Sequence, residues 1–183
     1  MGRALGSEGV EASHVERKID MKFKDLKDKP VVAVAHADKI GYIGDILLDL
    51  KDQQVAGFKV DMRGFMKGHR DLPWRDIQSI GGDAVTVAAP DSVKDVDVVP
   101  DLESMTHGEK VLRSRVMSES GDQVGTVADV DFDEKTGAIG GIILSGGLMD
   151  RLERRVHMIP TSEVRSIGKG IIVIGDETAQ HAT

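Results

Sequence analysis

The sequence contains no cysteine at any of its 183 positions, which excludes a disulfide framework, a thiolate metal site and a cysteine nucleophile. Aromatic residues make up only 3% of the chain, so few side chains are available to stack on single-stranded bases. The formal net charge of −7 also disfavours a surface built mainly to hold phosphate backbones. These features predict that nucleic acid is not the ligand.

The sequence also lacks a hydrophobic run long enough to cross a membrane. The longest apolar segments, such as 138–144 and 171–174, are far shorter than the roughly 20 residues that a spanning helix needs. The N-terminal segment carries Glu8, Glu11 and Glu16 and no apolar stretch, so it does not resemble a secretory signal. We expect a cytoplasmic protein without a membrane span.

What the sequence does contain is an internal repeat. Gly41, Asp45, Asp49 and Gly57 recur 84 residues later as the same residue types at 125, 129, 133 and 141. A second block at 72–81, with a proline, an acid, a serine and a glycine at fixed spacing, recurs 87 residues later at 159–168. A repeat of this length predicts two similar small domains, and contact between domains so small adds stability. We expect Asp45 and its equivalent Asp129 to bond backbone groups near the turn that follows them.

Signals for short strands follow one another in both copies. The first copy shows them at 31–34, 40–50 and 55–62, and the second at 111–118, 124–132 and 139–144. Gly137 occupies a hairpin position that requires a positive φ. The proline-containing blocks are too short for a regular helix, so each is expected to form one helical turn. Many short strands with turn signals between them are typical of a barrel or a sandwich.

These motifs resemble the PRC-barrel family, named for the cytoplasmic domain of the photosynthetic reaction centre H subunit. The matching pattern lies at 41–46 with 72–81, and again at 125–130 with 159–168. The second copy is the closer match, since it also fits at 133–137 and 154–156. The resemblance implies an all-β protein made of two tandem small six-stranded PRC-type β-barrels with short helical turns.

The same comparison divides the chain into five segments. We predict a flexible N-terminal tail at 1–20, a first barrel at 21–87, a linker at 88–104, a second barrel at 105–175 and a C-terminal tail at 176–183. The linker contains Pro90, Pro100, five acids and one lysine, a composition typical of an interdomain connection. We expect apolar residues such as Val93 to order it partly by packing on a barrel.

The resemblance implies an interaction module and not an enzyme. Family members serve photosynthetic electron transfer, ribosome maturation and archaeal cell division, so the fold does not select one process. The sequence has no nucleophile elbow or catalytic triad pattern, and we expect no catalytic residue and no cofactor. We interpret the protein as a non-catalytic protein-interaction or assembly module. An RNA- or ribosome-associated maturation factor is the alternative, and a small-ligand carrier that uses the groove between the barrels is a third.

Asp129, Asp131 and Asp133 begin like a calcium-binding loop. However, the next residue is Glu134 where that loop has a glycine, and the twelfth position is Gly140 where the loop has a glutamate. The six histidines are scattered without a metal-binding spacing. We therefore expect no metal site, and we interpret the three aspartates as a solvated strand face.

Two loops are rich in the residue types found at protein interfaces. The first leads into Trp74, the only tryptophan, and the second mixes large apolar side chains with arginines. The predicted interface residues are Phe65, Met66, Trp74, Leu148, Met149, Leu152, Arg154 and Arg155. The alternative is that Trp74 and Leu152 only cap their barrels. Because a small barrel gains buried surface by pairing, we also expect a homodimer.

Overall fold

The structure is a computed structural model that describes residues 21–62, 68–96, 102, 105–145 and 157–182. The tail predicted at 1–20 lies outside the described residues. The elements of the first copy are β1 (Met21–Lys22), α1 (Phe23–Leu26), β2 (Pro30–Ala33), β3 (Asp38–Asp49), β4 (Gln54–Met62), β5 (Gly68–Pro73), β6 (Ile77–Ile80) and β7 (Val85–Val87). Those of the second copy are β8 (Thr106–His107), α2 (Gly108–Val111), β9 (Arg115–Ser118), β10 (Gln123–Phe132), β11 (Ile139–Leu144), β12 (Met158–Pro160), β13 (Val164–Ile167), β14 (Ile171–Ile174) and α3 (Asp176–His181).

The two copies share one strand order. The first copy hydrogen-bonds in the order β5-β4-β3-β2-β7-β6, and the second in the equivalent order β12-β11-β10-β9-β14-β13. In each copy one pair is parallel, β2 with β7 and β9 with β14. The proline-containing blocks form single 3₁₀ turns at Trp74–Asp76 and Thr161–Glu163. The predicted all-β fold, with two tandem six-stranded units and short helical turns, is confirmed.

A seventh strand in each sheet comes from the other copy. The first strand of the first copy, β1, pairs with β10, where Met21 lies opposite Phe132. The first strand of the second copy, β8, pairs with β3, where His107 lies opposite Leu47. The copies therefore exchange their first strands, and each seven-stranded sheet is built from both. The sequence did not indicate this exchange.

The hairpins β3–β4 and β10–β11 also meet each other through the backbone. The N–H of Val55 donates to the carbonyl of Gly137 at 2.8 Å, and the N–H of Ile139 donates to the carbonyl of Gln53 at 2.9 Å. The residues between these two bonds face each other as an antiparallel bridge. Val55 is equivalent to Ile139 in the repeat, and Gln53 to Gly137, so the two bonds are equivalent to each other. The contact is therefore reciprocal, as it is across a two-fold dimer interface.

One hydrophobic core runs through both copies. Buried side chains of the first copy, such as Phe58 and Ile46, belong to the same cluster as Phe132 and Ile142 of the second. A unit of roughly 75 residues buries too little apolar surface to be more than marginally stable. Sharing one core lets each copy bury surface that it would otherwise expose to water.

Part of the predicted linker is held in place by burial of its apolar side chains. Val93 is only 3% exposed, as expected, and the backbone of Lys94 pairs with that of Asp71. Leu102 packs with Leu47 in a separate small cluster. In the segment predicted as the C-terminal tail, Asp176–His181 forms α3. The domain boundaries themselves stay a prediction.

One strand prediction is wrong. The sequence predicts a single strand over 111–118, but Val111 ends α2 and the strand begins only at Arg115. Arg113 has a φ of 68°, which no extended strand accommodates. Val111 is buried in the core, so its apolar character reflects burial and not strand pairing.

The repeated glycines at 57 and 141 allow close approach of neighbouring strands. A Cβ at Gly57 would overlap the carbonyl oxygen of Leu72, and one at Gly141 would overlap that of Ile159. We expect Gly57→Ala and Gly141→Ala each to lower the free energy of unfolding by about 2 kcal/mol, because backbone cannot give way as a flexible side chain can. Urea denaturation measures the change.

Gly82→Ala is the matched control, because no atom lies within 4 Å of a Cβ built there. This control is expected to change the free energy of unfolding by less than about 0.5 kcal/mol. Equal effects at positions 57 and 82 would contradict the close-approach argument.

Candidate functional site

The repeated aspartate of the first copy binds the segment that begins the second. Asp45 is buried in β3, and its Oδ1 accepts hydrogen bonds from the N–H of Ile46 at 2.9 Å and of Glu109 in α2 at 3.1 Å. Its Oδ2 lies 3.0 Å from Nδ1 of His107 in β8. The first N–H groups of a helix have no partner inside the helix, and an aspartate oxygen satisfies them. Asp45 therefore anchors the exchanged segment.

Asp129, the equivalent residue of the second copy, binds the segment that begins the first copy. Its Oδ1 accepts hydrogen bonds from the N–H of Val130 at 2.8 Å and of Lys24 in α1 at 3.2 Å. Burial raises the pKa of Asp129, and the two hydrogen bonds oppose that shift. We expected Asp129 to bond backbone near the turn that follows it, but its nearby partner, Val130, is the next residue within β10. The second partner, in the other copy, was not predicted.

The interpretation of the three aspartates as a solvated strand face is wrong for two of them. Asp129 and Asp131 are each only 4% exposed. Asp133 is in the hairpin turn, where it accepts hydrogen bonds from the N–H of Thr136 at 2.7 Å and of Lys135 at 2.8 Å. These bonds, with the Thr136 bond the largest cause, lower the pKa of Asp133. In the part of the chain that the structure describes, no group of three His, Cys, Asp or Glu side chains could hold a metal ion.

A groove of about 550 Å³ lies beside the Asp45 anchor. It is lined by Asp45 and His107 and by a second acid–histidine pair, in which Nδ1 of His69 lies 2.6 Å from Oδ1 of Asp61. Lys59, which also lines the groove, lies 3.1 Å from the fully buried Asp71. Asp45, Asp61 and Lys59 are thus each in contact with a neighbouring polar side chain, which stabilises the fold.

Trp74 lies between the two copies and is half-buried. Its ring centroid is 6.1 Å from that of Phe58 and 6.1 Å from that of Phe132, which it meets edge to face. Its indole also lies against Gly137, where a Cβ would come within 2.8 Å of the ring. Gly137 has a φ of 75°, as predicted, so both the turn and the indole require glycine there. We call Phe58, Trp74 and Phe132 the aromatic cluster.

The structure thus places Trp74 in a contact within the chain, and its role towards a partner stays a prediction. The other predicted interface residues lie outside the described residues; they are Phe65, Met66, Leu148, Met149, Leu152, Arg154 and Arg155.

The positions equivalent to the aromatic cluster carry smaller side chains. Leu48 corresponds to Phe132, Ile142 to Phe58 and Thr161 to Trp74. A cavity of about 310 Å³ opens there, between the first and second copies, and all three of these residues line it. We call this cavity the open groove.

The shared strand order and the reciprocal contact between the hairpins define a tandem β-protein made of two equivalent units. The chain matches the PRC-barrel domain family twice, over residues 19–94 and 105–180. Because the two matches cover most of the sequence, the protein belongs to the PRC-barrel domain family. No curated protein matches the chain. Among the described helices, none is long and apolar enough to cross a membrane.

Asp129→Asn removes the buried charge and retains an acceptor oxygen for both backbone N–H groups. Because burial raises the pKa of Asp129, the folded protein binds this proton more tightly than the unfolded chain does. The resulting stabilisation is complete below the ordinary pKa of 3.8 and is lost as the pH rises through the folded-state value. We expect the variant to be more stable than wild type at about pH 7, because it carries no buried charge there.

Urea denaturation at several pH values between about 3 and 7 measures this difference, which is expected to shrink towards the acid end. Asp129→Ala is the control, since it removes the acceptor as well and is expected to destabilise by about 1–2 kcal/mol. A clear loss of stability in Asp129→Asn at neutral pH would show that the negative charge itself anchors α1.

Proposed function

We propose that this protein is a non-catalytic assembly module that presents interaction loops to a protein partner from one framework of two joined barrels. The proposal rests on two segments, here called connections, that join equivalent pairs of strands in the two copies. Residues 63–67 join β4 to β5, and residues 145–157 join the equivalent strands β11 and β12. These two connections contain seven of the eight predicted interface residues.

The framework supports such a role because the strands that both connections join belong to one body. Strand exchange, the shared core and the aspartate anchors all join the first copy to the second. A loop positioned by a rigid scaffold binds with less loss of conformational freedom than a loop on a free domain.

The polar groups of the framework support the non-catalytic assignment. Asp45 and Asp129 bind backbone N–H groups, and Lys59 is paired with Asp71. These contacts hold segments together and leave the carboxylates engaged with the protein itself. A cytoplasmic location stays a prediction from the composition.

We also propose that the second connection mediates self-association. Leu148, Met149 and Leu152 are accompanied by Arg154 and Arg155, which gives the sequence an apolar centre with a charged rim. A two-fold dimer is the commonest closed assembly, and it requires only one such surface on each chain.

A double substitution, Leu148→Asp with Leu152→Asp, tests both proposals. Wild-type protein is expected to sediment as a species heavier than the 19.7 kDa chain, and the variant as the monomer, because burying two carboxylates in an apolar interface is unfavourable. Affinity capture on both proteins, with and without ribonuclease, then tests for a partner. We expect captured proteins that resist ribonuclease and that the variant no longer retains.

Val34→Asp is the matched control, since Val34 is an exposed aliphatic residue outside both connections. It is expected to leave the mass and the captured proteins unchanged. A monomeric wild type would contradict the proposed self-association and would leave the proposed binding of a protein partner untouched. Captured ribosomal proteins that disappear with ribonuclease would favour the RNA-associated alternative and contradict the proposed function.

A further inference from the structure

A second depression lies next to the open groove. Its volume is about 560 Å³, and two half-buried aliphatic side chains, Leu50 and Ile167, line both. Beyond them the floor of the open groove consists of buried aliphatic side chains, among them Val111 and Ile142. Residues of both copies line each of the two spaces. We call the open groove and this depression together the composite groove.

Positive side chains line both parts of the composite groove. Lys51 and Arg165 line the open groove, and Lys110 and Lys169 line the depression beside it. All four side chains are exposed, and among the described residues no carboxylate lines either part. Because the chain as a whole has a formal net charge of −7, this positive charge is a local feature of the surface.

The four cations are available to a ligand. Among the described residues, Arg165 is the one of the four that forms an ion pair, with Glu119 at 3.9 Å. Both side chains of this pair are more than half exposed, and an exposed pair of that length holds the guanidinium weakly.

The equivalent surface in the other half of the molecule differs in charge. The equivalents of Lys51, Lys110, Arg165 and Lys169 are, in that order, Lys135, Asp25, Gln78 and Gly82. The leucine that lines both parts of the composite groove, Leu50, is equivalent to Glu134. Since both halves have the same strand order, the fold itself does not require the positive charge of the composite groove.

The floor and the cations together indicate the chemistry of a ligand. Aliphatic side chains gain stability by covering apolar groups of a ligand, and unpaired cations attract carboxylates. Among the described residues no aromatic side chain lines either part, so the bases of a nucleic acid would have no surface on which to stack. A peptide that carries both aliphatic and acidic side chains meets these requirements.

We propose that the composite groove docks an extended acidic peptide of a protein partner, with aliphatic side chains between its carboxylates. The aliphatic side chains pack on the floor and against Leu50 and Ile167, and the carboxylates meet the four cations. None of these residues belongs to the two connections of the proposed function, so either proposal can fail without the other.

A fluorescein-labelled peptide of about eight residues, in which leucine and glutamate alternate, is the probe, because alternate side chains of an extended peptide share a face. Titration with the full-length protein, followed by fluorescence anisotropy, is expected to show saturable binding that weakens as salt rises from about 50 to about 300 mM. Leu50→Glu introduces the residue of the other half and is expected to weaken binding about tenfold or more. Lys51→Gln is expected to weaken it about threefold, as the loss of one exposed ion pair allows.

Lys135→Gln is the matched control, since it makes the same change of charge at the position equivalent to Lys51, and it is expected to leave the affinity unchanged. If Leu50→Glu does not fold, the double substitution Lys110→Gln with Arg165→Gln replaces it, because both side chains are exposed. This variant is expected to weaken binding about tenfold.

Two further peptides separate the contributions of charge and of the aliphatic floor. Glutamine in place of glutamate, and serine in place of leucine, are each expected to weaken binding about tenfold. The proposal is overturned by the absence of saturable binding, or by equal losses in Lys51→Gln and Lys135→Gln. Tighter binding of a single-stranded RNA oligonucleotide than of the peptide would also overturn it.

Discussion

The exchange of β1 and β8 between the two copies is the constraint on which the rest of the structure depends. Because each of these strands pairs with the central strand of the other copy, α1 and α2 begin against β10 and β3. The repeated aspartates, Asp45 and Asp129, fix those helix starts through hydrogen bonds to the backbone. The hairpins then meet between the copies, and one core extends through both. The chain is thus organised like a two-fold dimer whose subunits have been joined end to end.

A joined repeat can do something that a symmetric homodimer cannot, because its two halves can diverge. In a homodimer the grooves on either side of the contact are identical. Here Phe58, Trp74 and Phe132 all lie at one groove, whereas their equivalents at the other groove are aliphatic residues and a threonine. At that groove the indole of Trp74 meets Phe132 edge to face and stabilises the junction. The described residues that line the other groove include two cations, Lys51 and Arg165, and no carboxylate.

The sequence predicted the two units, most of their strands and their helical turns, because hydrophobic alternation, turn glycines and the repeat can all be recognised in the sequence. It did not predict the exchange, since the bond from Asp45 to the N–H of Glu109 joins residues 64 positions apart and leaves no local pattern. Alternating aspartates usually indicate a solvated strand face, but β1 pairs alongside Asp131 and buries it. The asymmetry of the grooves was present in the sequence and was missed. Aligning the copies position by position, with attention to where aromatic residues lack an aromatic equivalent, would have revealed it.

The central claim is that the two copies form one cooperative unit and are not separate domains that touch. Native-state hydrogen exchange measured against urea tests it most directly, at the amide protons of Val55 and Ile139 that bond between the copies. The account predicts that both protons exchange only when the whole chain unfolds, with the same free energy as the best-protected amides within β3 and β10. Exchange of these two protons at a much lower free energy, while the strands of each sheet keep their protection, would contradict it.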